Sequence, residues 1–111
     1  MFRESRQGAI KVISGSVPLS GDNLQFLRTA FEQILDAGQP RGVLDLREVA
    51  LIDSEGLECL LDVLDSFEQR AGILKLAAPN PLCADILSVT GVGDYFETFP
   101  DVNSAVGSFI Q

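Results

Sequence analysis

Short stretches of alternating or continuous apolar residues predict four or five β-strands. Residues 9–13 alternate apolar and polar side chains, as a strand with one buried face does. Residues 42–46 and 73–77 are short and largely apolar and follow turn residues, a pattern typical of central strands. Weaker patterns at residues 2–5 and 95–99 predict a partner strand near the beginning and a last strand near the end.

Apolar residues recur every three or four positions between these strands, which predicts four amphipathic helices. The predicted buried positions are Leu24, Leu27, Phe31, Ile34 and Leu35 in the first helix, Leu57, Leu60, Leu61, Leu64 and Phe67 in the second, Leu82, Ile86 and Val89 in the third, and Val102, Ala105, Val106 and Phe109 in the last. Asp22 and Asn23 offer cap oxygens to the first helix, and Asn80 followed by Pro81 predicts the start of the third.

Strands that alternate with single helices indicate βαβ crossovers and therefore parallel neighbouring strands. A chain of 111 residues suits one domain, and its 46% hydrophobic content supports a core without disulfides or metals. We therefore predict one α/β domain over residues 1–111. Its sheet is expected to be mixed but mostly parallel, with four to five strands and about four helices.

The charge balance argues against nucleic acid as a partner. Sixteen acidic residues against eight Lys and Arg give a formal net charge of −8 at pH 7. Positive charge supplies most of the affinity for a phosphate backbone, and the chain contains no run of Lys or Arg. The same balance disfavours adsorption to an anionic membrane surface.

Cysteine usage and hydropathy predict a cytoplasmic protein. Cys59 and Cys83 are too few and too far apart for a disulfide framework. The first eight residues contain no apolar signal core, and no apolar run reaches 18 residues, so we expect no insertion into a membrane.

A serine at the start of the second helix is the candidate site. Ser54 lies in the sequence Asp53-Ser54-Glu55-Gly56, between an apolar segment and the helix, and is placed to cap that helix with its hydroxyl. A phosphate on this hydroxyl would face backbone N–H groups and the positive end of the helix dipole, and would add about −1.5 to −2 charge. The sequence alone is compatible with a cap and nothing more, or with an electrostatic switch.

Three segments resemble the STAS domain family. Residues 43–57 (VLDLREVALIDSEGL) are similar to the family's central signature, in which an apolar strand ending in Asp-Leu leads to Asp-Ser-x-Gly-Leu. Residues 89–96 (VTGVGDYF) look like its helix-end glycine followed by an aromatic-bearing strand, and residues 12–15 (VISG) are similar to the strand before its first loop. The resemblance covers nearly the whole chain.

The resemblance implies a non-catalytic module of the anti-sigma factor antagonist type. In such proteins the serine after the aspartate is phosphorylated by a partner kinase that is also the anti-sigma factor, and phosphorylation ends the capture of that partner. By position, Ser54 is the expected phosphorylation site, Asp53 the preceding acid, and Gly56 the residue that keeps the helix start open. Glu55 departs from the family, whose members often carry Ser or Thr there, and leaves room for a differently regulated version.

The docking surface implied by the resemblance is the Ser54 loop and the beginning of the second helix. We predict that Asp53, Ser54, Glu55, Gly56, Leu57, Glu58 and Asp62 form it. The acidic side of this helix, with Glu55, Glu58, Asp62 and Asp65, is either a solvated face or a surface that attracts a basic partner. The alternative function is an accessory STAS subunit that regulates a membrane transport ATPase of the lipid-trafficking type without phosphorylation.

Catalysis and metal binding have little support in the sequence. The chain contains no histidine to serve as a base for Ser54, and its lysines, Lys11 and Lys75, fall on predicted strands. Acids at a helix start, such as Asp53 and Glu55, usually stabilise the helix dipole. Two separated cysteines without histidine indicate packing residues rather than metal ligands, and no glycine-rich phosphate loop occurs, so we expect no metal and no cofactor.

Overall fold

A five-stranded sheet with strand order β1-β2-β3-β4-β5 forms the centre of the protein. The computed structural model describes residues 1–35 and 38–110. The elements are β1 (Phe2–Gln7), β2 (Ile10–Gly15), α1 (Asn23–Glu32), β3 (Arg41–Asp45), α2 (Ser54–Glu68), β4 (Ile73–Ala77), α3 (Pro81–Thr90), β5 (Thr98–Phe99) and α4 (Val102–Gly107), with 3₁₀ turns at Val92–Tyr95 and Ser108–Ile110. The predicted α/β class, strand number and helix number are confirmed.

The sheet is antiparallel at one edge and parallel elsewhere. β1 pairs antiparallel with β2, whereas β2, β3, β4 and β5 follow one another in parallel. Crossovers between parallel strands are almost always right-handed, so three successive crossovers in one direction place their helices on the same face. Accordingly α1, α2 and α3 cover one face of the sheet and α4 covers part of the other.

Two apolar clusters lie on the two faces of the sheet. The larger one contains Ile13, Leu44 and Leu76 from the strands, and the buried sides of α1, α2 and α3. The smaller one lies under α4 and contains Ile10, Val12, Val43, Ala77 and Ala105. Central strands buried on both faces lack strict alternation, which explains the continuous apolar pattern at residues 42–46.

Predictions at two element boundaries were wrong. Asp22 precedes α1 but makes no side-chain cap bond, and Asn23 instead donates to the carbonyl of Pro18 at 3.1 Å. The last strand is only Thr98–Phe99, because a 3₁₀ turn occupies Val92–Tyr95.

The buried face of α3 is also not the predicted one. Cys83 and Leu87 pack into the core, whereas Leu82 and Val89 are 53% and 85% exposed. Seven of the ten residues of this helix are apolar and they lie on more than one side of it, so its sequence does not select one face.

Among the described residues, no helix is both long and apolar enough to cross a membrane.

Candidate functional site

Ser54 lies at the carboxyl end of the parallel sheet, where the chain passes from β3 to α2. It is the first residue of α2 and is exposed to solvent. Within residues 1–35 and 38–110, no hydrogen bond engages its hydroxyl group. The hydroxyl is therefore accessible to another molecule.

The N-cap of α2 is Asp53 and not Ser54, which corrects the sequence prediction. Asp53 has the extended backbone typical of a cap, and its Oδ1 accepts a hydrogen bond from the N–H of Gly56 at 2.8 Å. Its carboxylate also faces the positive end of the helix dipole. Because Asp53 supplies the cap, the side chain of Ser54 is not needed to begin the helix.

The loop before Ser54 is held against the loop that follows β2. The N–H of Leu19 donates to the carbonyl of Leu51 at 2.9 Å, and the N–H of Asp53 donates to the carbonyl of Leu19 at 3.2 Å. Gly56 is buried against the same segment. A Cβ at position 56 would collide with the Leu19 carbonyl oxygen and lie 2.9 Å from Cγ2 of Ile52. The glycine thus permits close contact between the first turn of α2 and the main chain.

A second anchor comes from the start of α3, which the sequence analysis predicted only as a helix cap. The side-chain oxygen of Asn80 caps α3 by accepting from the N–H of Cys83 at 2.7 Å. Its amide nitrogen donates to the carbonyls of Val49 and Ala50, at 2.9 and 3.3 Å. Asn80 therefore joins α3 to the loop that leads to Ser54. The only sequence signal for this role is that an asparagine, unlike a serine cap, also carries two donors.

The predicted docking residues divide into exposed and buried groups. Ser54, Glu55, Glu58 and Asp62 are exposed, and Asp53 is partly buried. Gly56 and Leu57 are buried, so they position the loop and the helix and do not present side chains to a partner.

The acidic side of α2 remains largely open to solvent. Asp62 forms an ion pair with Arg28 of α1 at 3.3 Å, but both side chains are substantially exposed. Glu55 and Glu58 lie nearer to Ser54, and both are exposed. Neither Glu55 nor Glu58 forms an ion pair among the described residues, so this face keeps a net negative charge.

The lysines and cysteines considered as reactive groups occupy other places. The ammonium of Lys75 contacts the 3₁₀ turn after α4, donating to Oγ of Ser108 at 2.6 Å and facing the ring of Phe109 at 4.3 Å. Lys11 pairs with Glu4 of β1 at 3.9 Å. Burial raises the pKa of the Cys59 thiol, and burial likewise raises the pKa of the Cys83 thiol. Both cysteines are packing residues in the larger cluster.

The family is decided by a match that spans most of the chain. The model of the STAS domain matches residues 4–105, which include β2, the Ser54 loop, α3 and most of α4. This chain belongs to the STAS domain family. The resemblance read from residues 43–57 is thereby confirmed.

Anti-sigma factor antagonists are prominent among the similar proteins. A Thermotoga maritima protein named as such is 26% identical over 81 residues, which cover 73% of this chain and 72% of that protein. The crystal structure of an anti-sigma factor antagonist from Mycobacterium paratuberculosis shares the fold with a TM-score of 0.88 at 20% identity, covering 100% of this chain and 94% of that one.

A transport protein contains this fold as well. The murine anion transporter Slc26a9 matches with a TM-score of 0.80 at 19% identity, over 92% of this chain but only 18% of the transporter. The chain is thus a STAS protein similar to anti-sigma factor antagonists, in a fold that transporters also use.

Proposed function

We propose that this STAS protein is a non-catalytic cytoplasmic antagonist that captures an anti-sigma factor with serine kinase activity and releases it when Ser54 is phosphorylated. The observation that carries the proposal is the accessible Ser54 hydroxyl, held at a fixed helix start by Asp53 and Gly56. Exposed Leu51 adds an apolar side chain beside this start, which suits a surface that binds protein.

The named relatives support this assignment. One solved structure that shares the fold is described as the unphosphorylated form of the anti-sigma factor antagonist SpoIIAA. It matches with a TM-score of 0.81 at 17% identity, over 98% of this chain and 96% of that one. A form specified as unphosphorylated implies a phosphorylated one, and its exposed hydroxyl makes Ser54 our candidate for the phosphorylated residue of this chain.

The proposed switch acts by blocking close contact at Ser54 and not by tightening the helix start. Asp53 already occupies the N–H of Gly56, so a phosphate on Ser54 competes with a carboxylate for the helix N-terminus. Glu55 and Glu58 are further acids on the same surface. A phosphate adding about −1.5 to −2 charge there would have to lose its water when a partner covers Ser54, and this desolvation, with the bulk of the group, weakens a complex formed without it.

Phosphate mapping tests the proposal directly. The purified protein is incubated with ATP and an extract of its source organism, and modified peptides are located by mass spectrometry. We expect phosphate on Ser54 and none at this position in Ser54→Ala. Absence of phosphate on Ser54, while a known antagonist is phosphorylated in the same extract, would contradict the switch. That result would favour the transport ATPase accessory role, which Glu55 beside Ser54 also fits.

A charge placed at position 54 should imitate the modified state. With the purified partner kinase, we expect Ser54→Asp to weaken binding at least about tenfold, because the new carboxylate loses its water when the kinase covers position 54. Stability should hardly change, since Asp53 keeps the cap and an acid in the first turn suits the helix dipole. Ser104→Asp is the matched control, because Ser104 is an exposed serine in the first turn of α4, on the other face of the sheet. Equal affinity of both variants and the parent protein would overturn the proposal.

A further inference from the structure

The outer edge of the sheet is a second surface that could bind protein. β1 is the edge strand, six residues long, and residues 3–7 are exposed. An edge strand of this length presents a row of main-chain donors and acceptors that another strand can pair with. This edge does not depend on Ser54 or on the proposed function.

The register of β1 against β2 shows which main-chain groups are available at this edge. The N–H of Ser16 donates to the carbonyl of Met1 at 2.8 Å, so residue 1 turns its main-chain groups toward β2. In an antiparallel pair this orientation alternates along the strand, so Arg3 and Ser5 also face β2. The N–H and C=O groups of Glu4 and Arg6 consequently face the open edge.

We propose that two copies of this chain pair through antiparallel β1 strands, with the two-fold axis passing between the two Ser5 residues. In this register Glu4 of each copy lies opposite Arg6 of the other. These are residues whose main-chain groups face outward, so each pair exchanges two main-chain hydrogen bonds. The two sheets thereby join into one continuous sheet without a free edge at β1.

The charges of β1 select this register. Glu4 opposite Arg6 forms an ion pair, and it occurs twice because of the symmetry. A shift that centres the axis on residue 4 places Glu4 opposite Glu4, and a shift that centres it on residue 6 places Arg6 opposite Arg6. Like charges directly opposite each other destabilise a strand pair.

An unfavourable contact within the single chain supports the same arrangement. Arg6 lies directly across from Lys11 of β2, and both are cationic. Glu4 pairs with Lys11 at 3.9 Å on the same face of the sheet. Glu4 of a second copy would bring a carboxylate to the other side of Arg6 and offset this repulsion.

Disulfide trapping tests the register. Ser5 opposite Ser5 is a non-hydrogen-bonded pair, with Cα atoms about 4.5 Å apart, within the range of a disulfide. We expect Ser5→Cys to form a covalent dimer under mild oxidation. Arg3→Cys is the control, because the two copies of residue 3 would be about 14 Å apart in this register. The native thiols, Cys59 and Cys83, are buried and remain as background in both variants.

Charge exchange tests the ion pairs in the unmodified main chain. Arg6→Glu places two carboxylates opposite each other between copies while relieving the repulsion from Lys11 within one copy. We expect the dimer dissociation constant, measured by sedimentation, to rise at least about tenfold. Adding Glu4→Arg restores opposite charges and should recover most of the dimer.

The pairing would be overturned by either of two results. One is a parent protein that stays monomeric up to about 1 mM, a concentration that still detects weak association. The other is cross-linking of Arg3→Cys as fast as Ser5→Cys, which would indicate random collision. Phosphorylation of Ser54 is measured separately, so a result that excludes the dimer does not bear on the proposed function.

Discussion

At the scale of a single residue, Gly56 permits the close main-chain contact on which the Ser54 site depends. Its missing side chain allows the first turn of α2 to lie against the carbonyl of Leu19 and the side chain of Ile52. The resemblance to the family implied that this glycine keeps the helix start open. The structure gives a different physical role, since Gly56 is buried and closes the contact between two loops.

We expect Gly56→Ala to destabilise the protein by about 1–3 kcal/mol, the cost typical of an overpacked site. The clash is with main-chain atoms, which cannot move aside as a flexible side chain does. Gly107→Ala is the matched control, because a Cβ at this helical position meets open space. The free energy of unfolding, measured with urea, should be unchanged or slightly raised for the control. Similar values for both variants would show that the contact at residue 56 is not tight.

At the scale of an element, the contacts of helix α3 decide which of its faces is buried. Its sequence is apolar at Leu82, Ile86 and Val89 and also at Cys83 and Leu87, so two helical stripes compete for the core. The cap residue settles the competition, because Asn80 is bonded to the carbonyls of Val49 and Ala50. The Sγ of Cys83 adds a contact with the Val49 carbonyl at 3.4 Å. These bonds fix the rotation of the helix and bury Cys83 and Leu87.

Removing the anchor should cost more than removing a helix cap. We expect Asn80→Ala to lower the free energy of unfolding by about 2–3 kcal/mol, of which the cap accounts for about 1. Asn80→Asp keeps a cap oxygen but loses both donors and turns a carboxylate toward the two carbonyls. It should therefore recover only the cap contribution. Full recovery in urea unfolding would show that the bonds to Val49 and Ala50 carry no stability.

The charge of the whole molecule bears on how fast a partner finds the site. The net charge of −8 and the exposed acids of α2 produce a negative field around Ser54. A field of this kind raises the association rate of a partner with a basic surface and is screened by salt.

Reversal of charge on α2 tests this steering. We expect Glu58→Lys combined with Asp62→Lys to slow association with the proposed partner kinase about tenfold at low salt. The difference should shrink as salt is added, because the Debye length falls to about 8 Å at physiological ionic strength. The control combines Glu68→Lys with Asp94→Lys. It makes the same change of net charge, and residue 68 lies about 21 Å along α2 from Ser54. An unchanged association rate for the first variant, or an equally slowed rate for the control, would show that this face does not steer the partner.

The sequence by itself determined the α/β class, the order of strands and helices, and the family. Strand and helix periods depend on neighbours within a few residues, so buried Leu24, Leu27 and Phe31 of α1 and the cap formed by Asn80 and Pro81 were predicted correctly. The STAS resemblance rested on contiguous residues around Ser54 and was equally local.

Only the tertiary structure decided which residue caps α2, which edge of the sheet is open and which face of α3 is exposed. Asp53 rather than Ser54 caps α2, because the choice between adjacent polar residues depends on where the chain leaves the Leu19 contact. The open edge of β1 depends on the order of strands in space, and the exposed face of α3 on contacts 30 or more residues away. Long-range contacts of this kind leave no periodic pattern along the chain, which is why the local sequence did not predict them.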